Sequence, residues 1–396
     1  MLLLTVSCLV ALGIGELLAR CFLACPKHLV VRGDPSVERR LTSENSRPSR
    51  FSFLHHPEQG GMYVQTELGR RLRANTYVLI QNHALSKREV EIRTNSLGYR
   101  SPEITTKTRP RVLFLGDSIT FGDWLPEEET FVRLTQTIAD QNGCRWETIN
   151  AAVGGASLHD ELAVLKETGL TVKPDVVVLG FYLNDFQTSP GIRSADFGVW
   201  GNRSWLLYHS FRAMSFWLGH QETGRHIMGY LDGRRIKNWQ VEFKQEFPCT
   251  QGDYRVSPSA FNGLIAKTMW DWGGSWSGRA WELMRPLFGE LKQLSRERGF
   301  HLLVVVFPVS FQIEAQFVYD FPQRQLKETC RELGIPVLDL LPAFREARTS
   351  EQDRIFYDHC HHTSYGNRLV ALEIAEALRR ISLTAGACAR IEDWSR

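Results

Sequence analysis

The chain has 396 residues, of which 43% are hydrophobic, so it can bury one large core and still carry an additional module. Its formal net charge is only +3, and no segment interleaves dense lysine and arginine with aromatic residues, which excludes a nucleic-acid groove. Eight cysteines are scattered without a Cys-x-x-Cys pair, so neither a zinc ribbon nor a redox motif is indicated.

The first predicted element is an apolar segment over residues 1–25. No charged side chain precedes Glu16, and apolar residues continue around Glu16 and Arg20. One helix extending to Cys25 could cross a bilayer, whereas a helix ending at Gly15 is shorter than the roughly 20 residues required. We predict a single N-terminal membrane anchor whose sidedness stays open, with a cleaved signal peptide of an exported or periplasmic protein, or a buried soluble helix, as alternatives.

Residues 26–110 are predicted to form a lead-in region with short strands. The runs Tyr77–Ile80 and Val90–Ile92 indicate two of these strands. The segment Asn95–Arg100 has the turn chemistry expected of a cap packed against the domain that follows.

From residue 111 to 382 the chain alternates strands and helices, and residues 383–396 form a C-terminal tail. Runs such as Val176–Leu179 and Leu302–Val306 are continuously apolar, which is typical of parallel strands covered on both faces. The pattern predicts strands near 111–116, 146–151, 175–181, 301–307 and 336–340, and helices near 128–142, 158–169, 279–299, 322–333 and 365–380. The predicted fold class is therefore α/β, a three-layer α/β/α sandwich with a central parallel sheet.

A tryptophan-rich insertion is predicted at about 186–279, between the third and fourth core strands. Counting one at its edge, it holds eight tryptophans, at positions 200, 205, 217, 239, 270, 272, 276 and 281. These rings could line a lid or an acceptor groove, because aromatic faces stack on sugar rings and acyl chains. The alternatives are a small satellite core, with Leu206 on one helical side, and a membrane-facing patch.

Two short motifs far apart in the chain predict a serine hydrolase site: Gly116–Thr120 (GDSIT) and Asp358–His361 (DHCH). The first follows an apolar run and precedes a stretch with helical periodicity, which places Ser118 on a strand-to-helix turn that favours negative charge. A serine hydroxyl becomes an effective nucleophile when an imidazole takes its proton and a carboxylate holds the other ring nitrogen. His361 and Asp358, three residues apart, supply these two groups.

At these motifs the chain resembles the SGNH hydrolase superfamily, also called GDSL-type esterases, over roughly residues 111–380. The resemblance implies a flavodoxin-like fold with Ser118 as the nucleophile. It also implies an oxyanion hole built from the Ser118 N–H and two further donors.

These two donors come from the family's middle motifs. A glycine after a short strand points to the N–H of Gly155, with Gly154 as its competitor, and the Asn-Asp pair points to the side-chain amide of Asn184. The family usually has Gly-x-Asn-Asp, whereas this chain has Tyr182 in the glycine position, and a tyrosine resists the positive φ that a glycine accepts. The predicted donors all follow core strands at their carboxyl ends, where ligands of such sheets bind.

Three site residues have alternative interpretations. Ser118 could be an ordinary helix N-cap, and His359 and His362 compete with His361 for the role of base. Residues 358–362 could also bind a metal ion, although adjacent residues on one loop rarely converge on one ion without further ligands.

Other acidic residues near the motifs are predicted to be structural. Asp117 and Asp185 are expected to hydrogen-bond their own turns, and His159 and Asp160 to begin a surface helix rather than to form a second dyad.

The sequence therefore predicts an ester hydrolase that acts on an acyl or acetyl ester through a Ser118–His361–Asp358 triad and an acyl-enzyme. The alternatives are a membrane-associated O-acyltransferase acting on a polysaccharide and a non-catalytic carbohydrate-binding protein. No cofactor and no metal are implied. The expected partners are an ester substrate, possibly an acylated carbohydrate, and a membrane contacted through the N-terminal segment, but no nucleic acid.

Overall fold

The structure is a computed structural model that describes residues 2–22, 63–65, 70–80, 83, 85–186, 204, 206, 210, 249–269, 271–348 and 354–384. Its strands are β1 Tyr63–Gln65, β2 Arg70–Leu72, β3 Tyr77–Ile80, β4 Val90–Arg93, β5 Arg111–Gly116, β6 Glu147–Asn150, β7 Val176–Phe181, β8 His301–Val306 and β9 Val337–Asp339. Its helices are α1 Leu2–Phe22, α2 Ser118–Phe121, α3 Phe131–Gln141, α4 Leu158–Glu167, α5 Pro258–Lys267, α6 Gly278–Arg298, α7 Ser310–Glu314, α8 Phe321–Leu333, α9 Leu341–Glu346 and α10 Ser364–Thr384. The strands and helices predicted for the core are present, with their ends shifted by a few residues.

The central sheet has five parallel strands in the order β6-β5-β7-β8-β9. Numbered along the domain this order is 2-1-3-4-5, the flavodoxin-like arrangement, whose ligand site lies where the strand order reverses. Every residue of β5 and β7 is buried, as their continuous apolar runs predict. The residues that follow these two strands therefore lie at the switch point.

Helices cover the sheet in two packed groups. On one side α3 packs against α10, and in the other group α6 packs against both α4 and α8. The buried residues of α3 and α10 recur at helical spacing, so each presents one apolar face to the sheet. The predicted three-layer α/β/α sandwich is confirmed.

The helix predicted to follow the GDSIT motif is only one turn long. Gly122, with φ +68°, adopts the left-handed conformation and donates its N–H to the Ser118 carbonyl, which ends α2. The next helix, α3, begins at Phe131, where the Thr130 side chain accepts from the Arg133 N–H.

Close packing between β7 and α2 requires a glycine at position 180. A Cβ on Gly180 would lie 2.3 Å from Thr120 Oγ1 and 3.1 Å from a Phe307 ring carbon. Gly289, in the middle of α6, is a matched contrast because a Cβ there meets nothing within 4 Å.

These two glycines predict stability changes of opposite sign. Gly180→Ala is expected to lower the free energy of unfolding by about 1–3 kcal/mol, the usual cost of overpacking a core. Gly289→Ala is expected to raise it by up to about 1 kcal/mol, because alanine is the better helix former. Urea denaturation of both variants checks the pair, and equal shifts in the same direction would contradict the packing argument.

The lead-in region forms two antiparallel hairpins, β1–β2 and β3–β4, and the predicted cap follows them. The Asn95 side chain accepts from the N–H groups of Leu97 and Tyr99. The buried Arg100 guanidinium donates to the carbonyls of Phe121, Gly122 and Leu125, immediately after the GDSIT motif. The cap predicted over Asn95–Arg100 therefore supports the loop that follows Ser118.

In the described part of the insertion, the tryptophans belong to the core. Trp272, Trp276 and Trp281 are buried, and the first two pack edge to face with ring centroids 5.5 Å apart. Trp276 also packs against Phe261. These three rings therefore pack in the core of the domain. The satellite core predicted around Leu206 stays a prediction, because Trp200, Trp205, Trp217, Trp239 and Trp270 lie outside the described residues.

The N-terminal segment forms α1, in which Glu16 pairs with Arg20 and also accepts hydrogen bonds from Ser204 and Leu206. Among the residues that the structure describes, no helix has the length and apolar character needed to cross a bilayer. The predicted membrane anchor and transmembrane helix are therefore not shown.

The cysteines differ in their state. The buried Cys144 is disulfide-bonded. Four others that the structure describes, Cys21, Cys249, Cys330 and Cys360, are free thiols.

Candidate active site

The GDSIT and DHCH motifs meet at the carboxyl ends of the strands. Ser118 Oγ lies 3.1 Å from His361 Nε2, although 243 positions separate the two residues. Ser118 begins α2, directly after β5, and His361 lies in the loop that precedes α10. The distance is that of a hydrogen bond between a hydroxyl and an imidazole.

The Asp358 carboxylate holds both the ring and the backbone of His361. Its Oδ2 lies 2.7 Å from His361 Nδ1, and its Oδ1 accepts from the N–H groups of Cys360 and His361 at 2.9 and 2.8 Å. Because one carboxylate closes the turn and contacts the ring, it fixes where the imidazole points. Ser118, His361 and Asp358 thus form a continuous hydrogen-bonded series.

The charges in this series reinforce one another. Burial of the His361 ring opposes its protonation, but the hydrogen bond and charge of Asp358 outweigh burial, and the pKa of His361 lies above its ordinary 6.5. Burial also opposes ionisation of Asp358, yet the hydrogen bonds from His361 and the backbone outweigh it and hold the pKa of Asp358 well below its usual range. At neutral pH the carboxylate is therefore ionised beside an imidazole of increased basicity.

Trp124 is a second contact that orients His361. The indole is fully buried, packs edge to face on the His361 ring with centroids 4.6 Å apart, and donates its N–H to the His362 carbonyl at 2.7 Å. It follows α2 in the loop that Arg100 supports. The Asn95–Arg100 cap thus supports the loop that carries Trp124, and Trp124 in turn contacts the imidazole of His361.

Asp117 has the structural role predicted for it. Its buried carboxylate caps α2 by accepting from the Ile119 N–H at 2.8 Å, and Ser118 Oγ lies 3.4 Å from its second oxygen. Burial raises the pKa of Asp117 to about 6. Asp185 likewise closes its own turn by accepting from the Tyr182 N–H at 2.7 Å.

Two further buried carboxyls lie near Asp117. Glu161, on α4, is fully buried, and neither of its carboxylate oxygens has a hydrogen-bond partner among the described residues. Burial raises the pKa values of Glu161 and Asp185 well above their ordinary range, and the negative charges of neighbouring carboxyls add to the effect. Burial therefore favours the neutral form of both groups.

The predicted oxyanion residues occupy the same end of the sheet. Gly155, with φ +67°, lies in the turn after β6, where the Val153 N–H donates to the Gly116 carbonyl at 3.0 Å. Asn184 follows β7, and its side-chain amide donates to Asp271 Oδ1 at 3.0 Å. The described contacts join neither residue to Ser118.

Tyr182 fits the family's glycine position without strain. The described non-glycine residues with positive φ are Asn75, Lys87 and Lys173, so Tyr182 has a negative φ. The tyrosine is buried and its backbone N–H is held by Asp185. The replacement of glycine therefore leaves the Asn-Asp turn intact.

The two competing histidines contact other side chains. His362 is fully buried among Phe307, Phe344 and Phe356, and burial lowers its pKa to about 3. His359 faces Asp271, with Nε2 3.6 Å from Oδ2. Neither imidazole contacts Ser118 in the described structure.

Of residues 358–362, three have ligand atoms close enough together to bind one metal ion. Ligand atoms of Asp358, Cys360 and His361 lie within 4.8 Å of one another. In this arrangement the carboxylate and the imidazole bond each other through Oδ2 and Nδ1, atoms that would otherwise be free to bind an ion.

His159 and Asp160 do not form a second dyad. Asp160 completes a capping box with Ser157 at the start of α4, and His159 is exposed.

Sequence reasoning missed Trp124 and Asp271. Asp271 lies directly before Trp272, and in the sequence it stands between two tryptophans. A polar residue inside the aromatic WDWGGSW run was the available signal for it. Nothing local marks Trp124, because its contact with His361 is made across 237 positions of the chain.

A family comparison covers the last part of the chain. Residues 279–390 match the family model described as "SGNH hydrolase-like domain, acetyltransferase AlgX". This segment is therefore similar to the SGNH hydrolase superfamily. It contains Asp358 and His361, whereas the Ser118 motif lies before it.

Several solved structures resemble this chain at low identity. An acetylxylan esterase mutant, Axe2 from Geobacillus stearothermophilus, is 13% identical, with 67% of this chain and 93% of that chain covered at a TM-score of 0.37. A lipase/acylhydrolase from Enterococcus faecalis is 15% identical, with coverages of 69% and 96% and a TM-score of 0.37. A lipolytic protein of the G-D-S-L family from Veillonella parvula DSM 2008 is 13% identical, with coverages of 68% and 98% and a TM-score of 0.35. No curated protein matches the chain in sequence.

Proposed function

We propose that the chain is a serine-dependent enzyme that cleaves an acyl or acetyl ester through a covalent intermediate on Ser118. The observation that carries the proposal is the series Ser118 Oγ, His361 Nε2, His361 Nδ1 and Asp358 Oδ2, joined at 3.1 and 2.7 Å. The similarity of residues 279–390 to an SGNH hydrolase-like domain supports the same chemistry.

In the first half-reaction, Ser118 Oγ attacks the carbonyl carbon of the ester and its proton passes to His361 Nε2. The tetrahedral intermediate collapses as the bond to the alcohol oxygen breaks, and the departing alcohol takes the proton from His361. The ionised Asp358 stabilises the imidazolium that forms in between. The product of this half-reaction is an acyl ester of Ser118.

In the second half-reaction, a hydroxyl oxygen attacks the acyl carbon of this ester. His361 removes the proton of the attacking hydroxyl and returns a proton to Ser118 Oγ as the C–Oγ bond breaks. When the attacking group is water the enzyme is an ester hydrolase, and when it is an alcohol the enzyme is an O-acyltransferase. Both reactions use the same three residues.

We infer that the oxyanion of both intermediates is held by the N–H groups of Ser118 and Gly155 and by the Asn184 amide. An amide nitrogen carries two hydrogens, so the bond from Asn184 to Asp271 leaves one for the oxyanion. Asn184→Ala is expected to lower kcat by about 10²- to 10³-fold. Steady-state hydrolysis of p-nitrophenyl acetate measures this effect.

Asn142→Ala is the matched control, because Asn142 caps the end of α3 that leads into β6, at the opposite end of the sheet. Its kcat should remain near that of the unchanged protein. A loss at Asn142 equal to that at Asn184 would contradict the assignment of Asn184.

The function itself is tested by two measurements on the full chain. A fluorophosphonate probe should label Ser118 stoichiometrically, and an acetyl ester should release acetate. Failure of the folded protein to label would favour the non-catalytic carbohydrate-binding alternative. Addition of a carbohydrate acceptor then separates the two reactions, since a transferase consumes acceptor faster than it releases free acetate.

O-acyltransfer is the second candidate function, and the family match favours it. The description of the family model that matches residues 279–390 names an acetyltransferase as well as a hydrolase-like domain. The corresponding partner would be a hydroxyl-bearing acceptor, such as a carbohydrate, besides the ester donor.

We also propose that the protein is exported. The disulfide bond of Cys144 supports an oxidising compartment, because such bonds are rare in reducing cytosol. Peptide mapping of protein isolated from its native host, alkylated without reduction, measures the Cys144 thiol. Quantitative alkylation at Cys144 would rule the proposal out.

A further inference from the structure

A second imidazole–carboxylate pair lies beside the proposed base, His361. His359 is two residues before His361 in the same loop, and the centroids of the two rings are 6.5 Å apart. Its Nε2 is 3.6 Å from Asp271 Oδ2. We call His359 and Asp271 the flanking dyad.

Both members of the flanking dyad are held in place by other contacts. The second oxygen of Asp271 accepts from the Asn184 amide at 3.0 Å, and the His359 carbonyl accepts from the Ser310 N–H at 2.8 Å. The dyad therefore has a fixed position relative to both Asn184 and His361.

The flanking dyad is also accessible. The side chains of His359 and Asp271 are 34% and 17% exposed, whereas His362 in the same loop is fully buried. An imidazole and a carboxylate that are partly exposed can both hydrogen-bond hydroxyl groups.

We propose that the flanking dyad binds the hydroxyl-bearing acceptor of the second half-reaction, so that an alcohol is selected over water. This inference rests on the proposed acyl-enzyme at Ser118. The His359 and His361 rings are in edge-to-face contact, so neighbouring hydroxyls of one ligand can reach both imidazoles from the solvent side. The favoured acceptor is a polyol or sugar, which offers one hydroxyl to His361 and a neighbouring one to the dyad.

The chemical step remains that of the second half-reaction. The acceptor oxygen forms the new bond to the acyl carbon, the bond from that carbon to Ser118 Oγ breaks, and the acceptor proton reaches Ser118 Oγ through His361. The flanking dyad forms and breaks no covalent bond. It binds the neighbouring hydroxyl and so raises the chance that an alcohol, rather than water, occupies the attacking position.

The test compares His359→Ala with the unchanged full-length protein, using p-nitrophenyl acetate as donor and glycerol or methyl α-D-glucopyranoside as acceptor. Acylation is measured separately, as the rate of fluorophosphonate labelling. Acetylated acceptor is quantified by mass spectrometry and free acetate by enzymatic assay. His301→Ala is the matched control, because His301 is an exposed histidine at the amino end of β8, the end of the sheet opposite to the site.

The proposal predicts that His359→Ala labels at a rate within about twofold of the unchanged protein. Its ratio of transfer to hydrolysis should fall by about tenfold or more, as expected for one or two lost hydrogen bonds. An unchanged ratio, or equal losses in labelling and transfer, would overturn the proposal. So would an unchanged protein that labels but acetylates neither probe.

Failure of the proposed function gives a different result, since the unchanged protein would then not label at all. Asp271→Asn is a less selective variant, because Asp271 also holds Asn184. It is expected to slow labelling as well as transfer.

Discussion

Ser118→Ala is expected to abolish covalent labelling by a fluorophosphonate and to lower ester turnover by about 10⁴-fold or more. Removal of the hydroxyl removes the atom that forms the acyl bond, and only binding and oxyanion stabilisation would remain. The fold should be preserved, because the cap of α2 is formed by the Asp117 carboxylate and the Ile119 N–H rather than by Ser118. Labelling stoichiometry and the rate of p-nitrophenyl acetate hydrolysis measure the two effects.

Ser96→Ala is the matched serine control. Ser96 is exposed and bonds Glu103 in the cap segment, so its variant should label and turn over like the unchanged protein. Labelling of Ser118→Ala at full stoichiometry would show that another residue is the nucleophile.

The second large effect is expected from Asp358→Asn. Asparagine keeps Oδ1, which accepts from the N–H groups of Cys360 and His361, so the loop should stay closed. The atom that faces His361 Nδ1 then becomes an amide donor. It forces Nδ1 to accept and Nε2 to carry the proton, the tautomer that cannot act as base toward Ser118. By analogy with other triads, kcat/KM should fall by about 10⁴-fold.

The same substitution predicts a shift of the pH profile. His361 must be neutral to act as base, and its pKa lies above 6.5 because Asp358 outweighs burial. Activity of the unchanged protein should therefore be lost as the pH falls through this raised value. Without the carboxylate charge the pKa of His361 drops, so the acid limb of the residual activity should move to lower pH.

The pH dependence of kcat/KM measures the position of this acid limb. Asp253→Asn serves as control, since Asp253 is exposed and pairs with Arg255 outside the site. An acid limb that stays in place in Asp358→Asn would mean that Asp358 does not set the basicity of His361.

The parallel sheet could be predicted from the sequence because its core strands have a clear apolar pattern. β5, β7 and β8 are continuous apolar runs, and burial on both faces is the environment such runs require. The length of α2 could not be predicted from such a pattern. The left-handed Gly122 ends this helix after one turn, and the apolar pattern of a sequence does not report a backbone conformation.

The proximity of Ser118, His361 and Asp358 was predictable because each lies in a short motif with a fixed role. Trp124 and Asp271 carry no such motif. Their significance comes from contacts between distant segments, namely the indole on the His361 ring and the carboxylate between Asn184 and His359. Only the tertiary structure brings these segments together.

Three buried carboxyls near the candidate active site keep their protons to a higher pH in the native state than in the unfolded chain. Asp117, Glu161 and Asp185 all have raised pKa values in the folded chain, so the native state retains protons that the unfolded chain releases above about pH 4. The contribution of these carboxyls to the free energy of unfolding should therefore decline as the pH rises through their raised pKa values, whereas the buried His362, with its pKa lowered to about 3, destabilises the native state below about pH 6.5. The native state should resist heat better near pH 6.5 than near pH 8. Differential scanning calorimetry at the two pH values measures the decline, and Glu161→Gln, which carries no titratable group, should flatten it. A rise in pH, which ionises these buried carboxyls, would then be the condition that destabilises the packing around them.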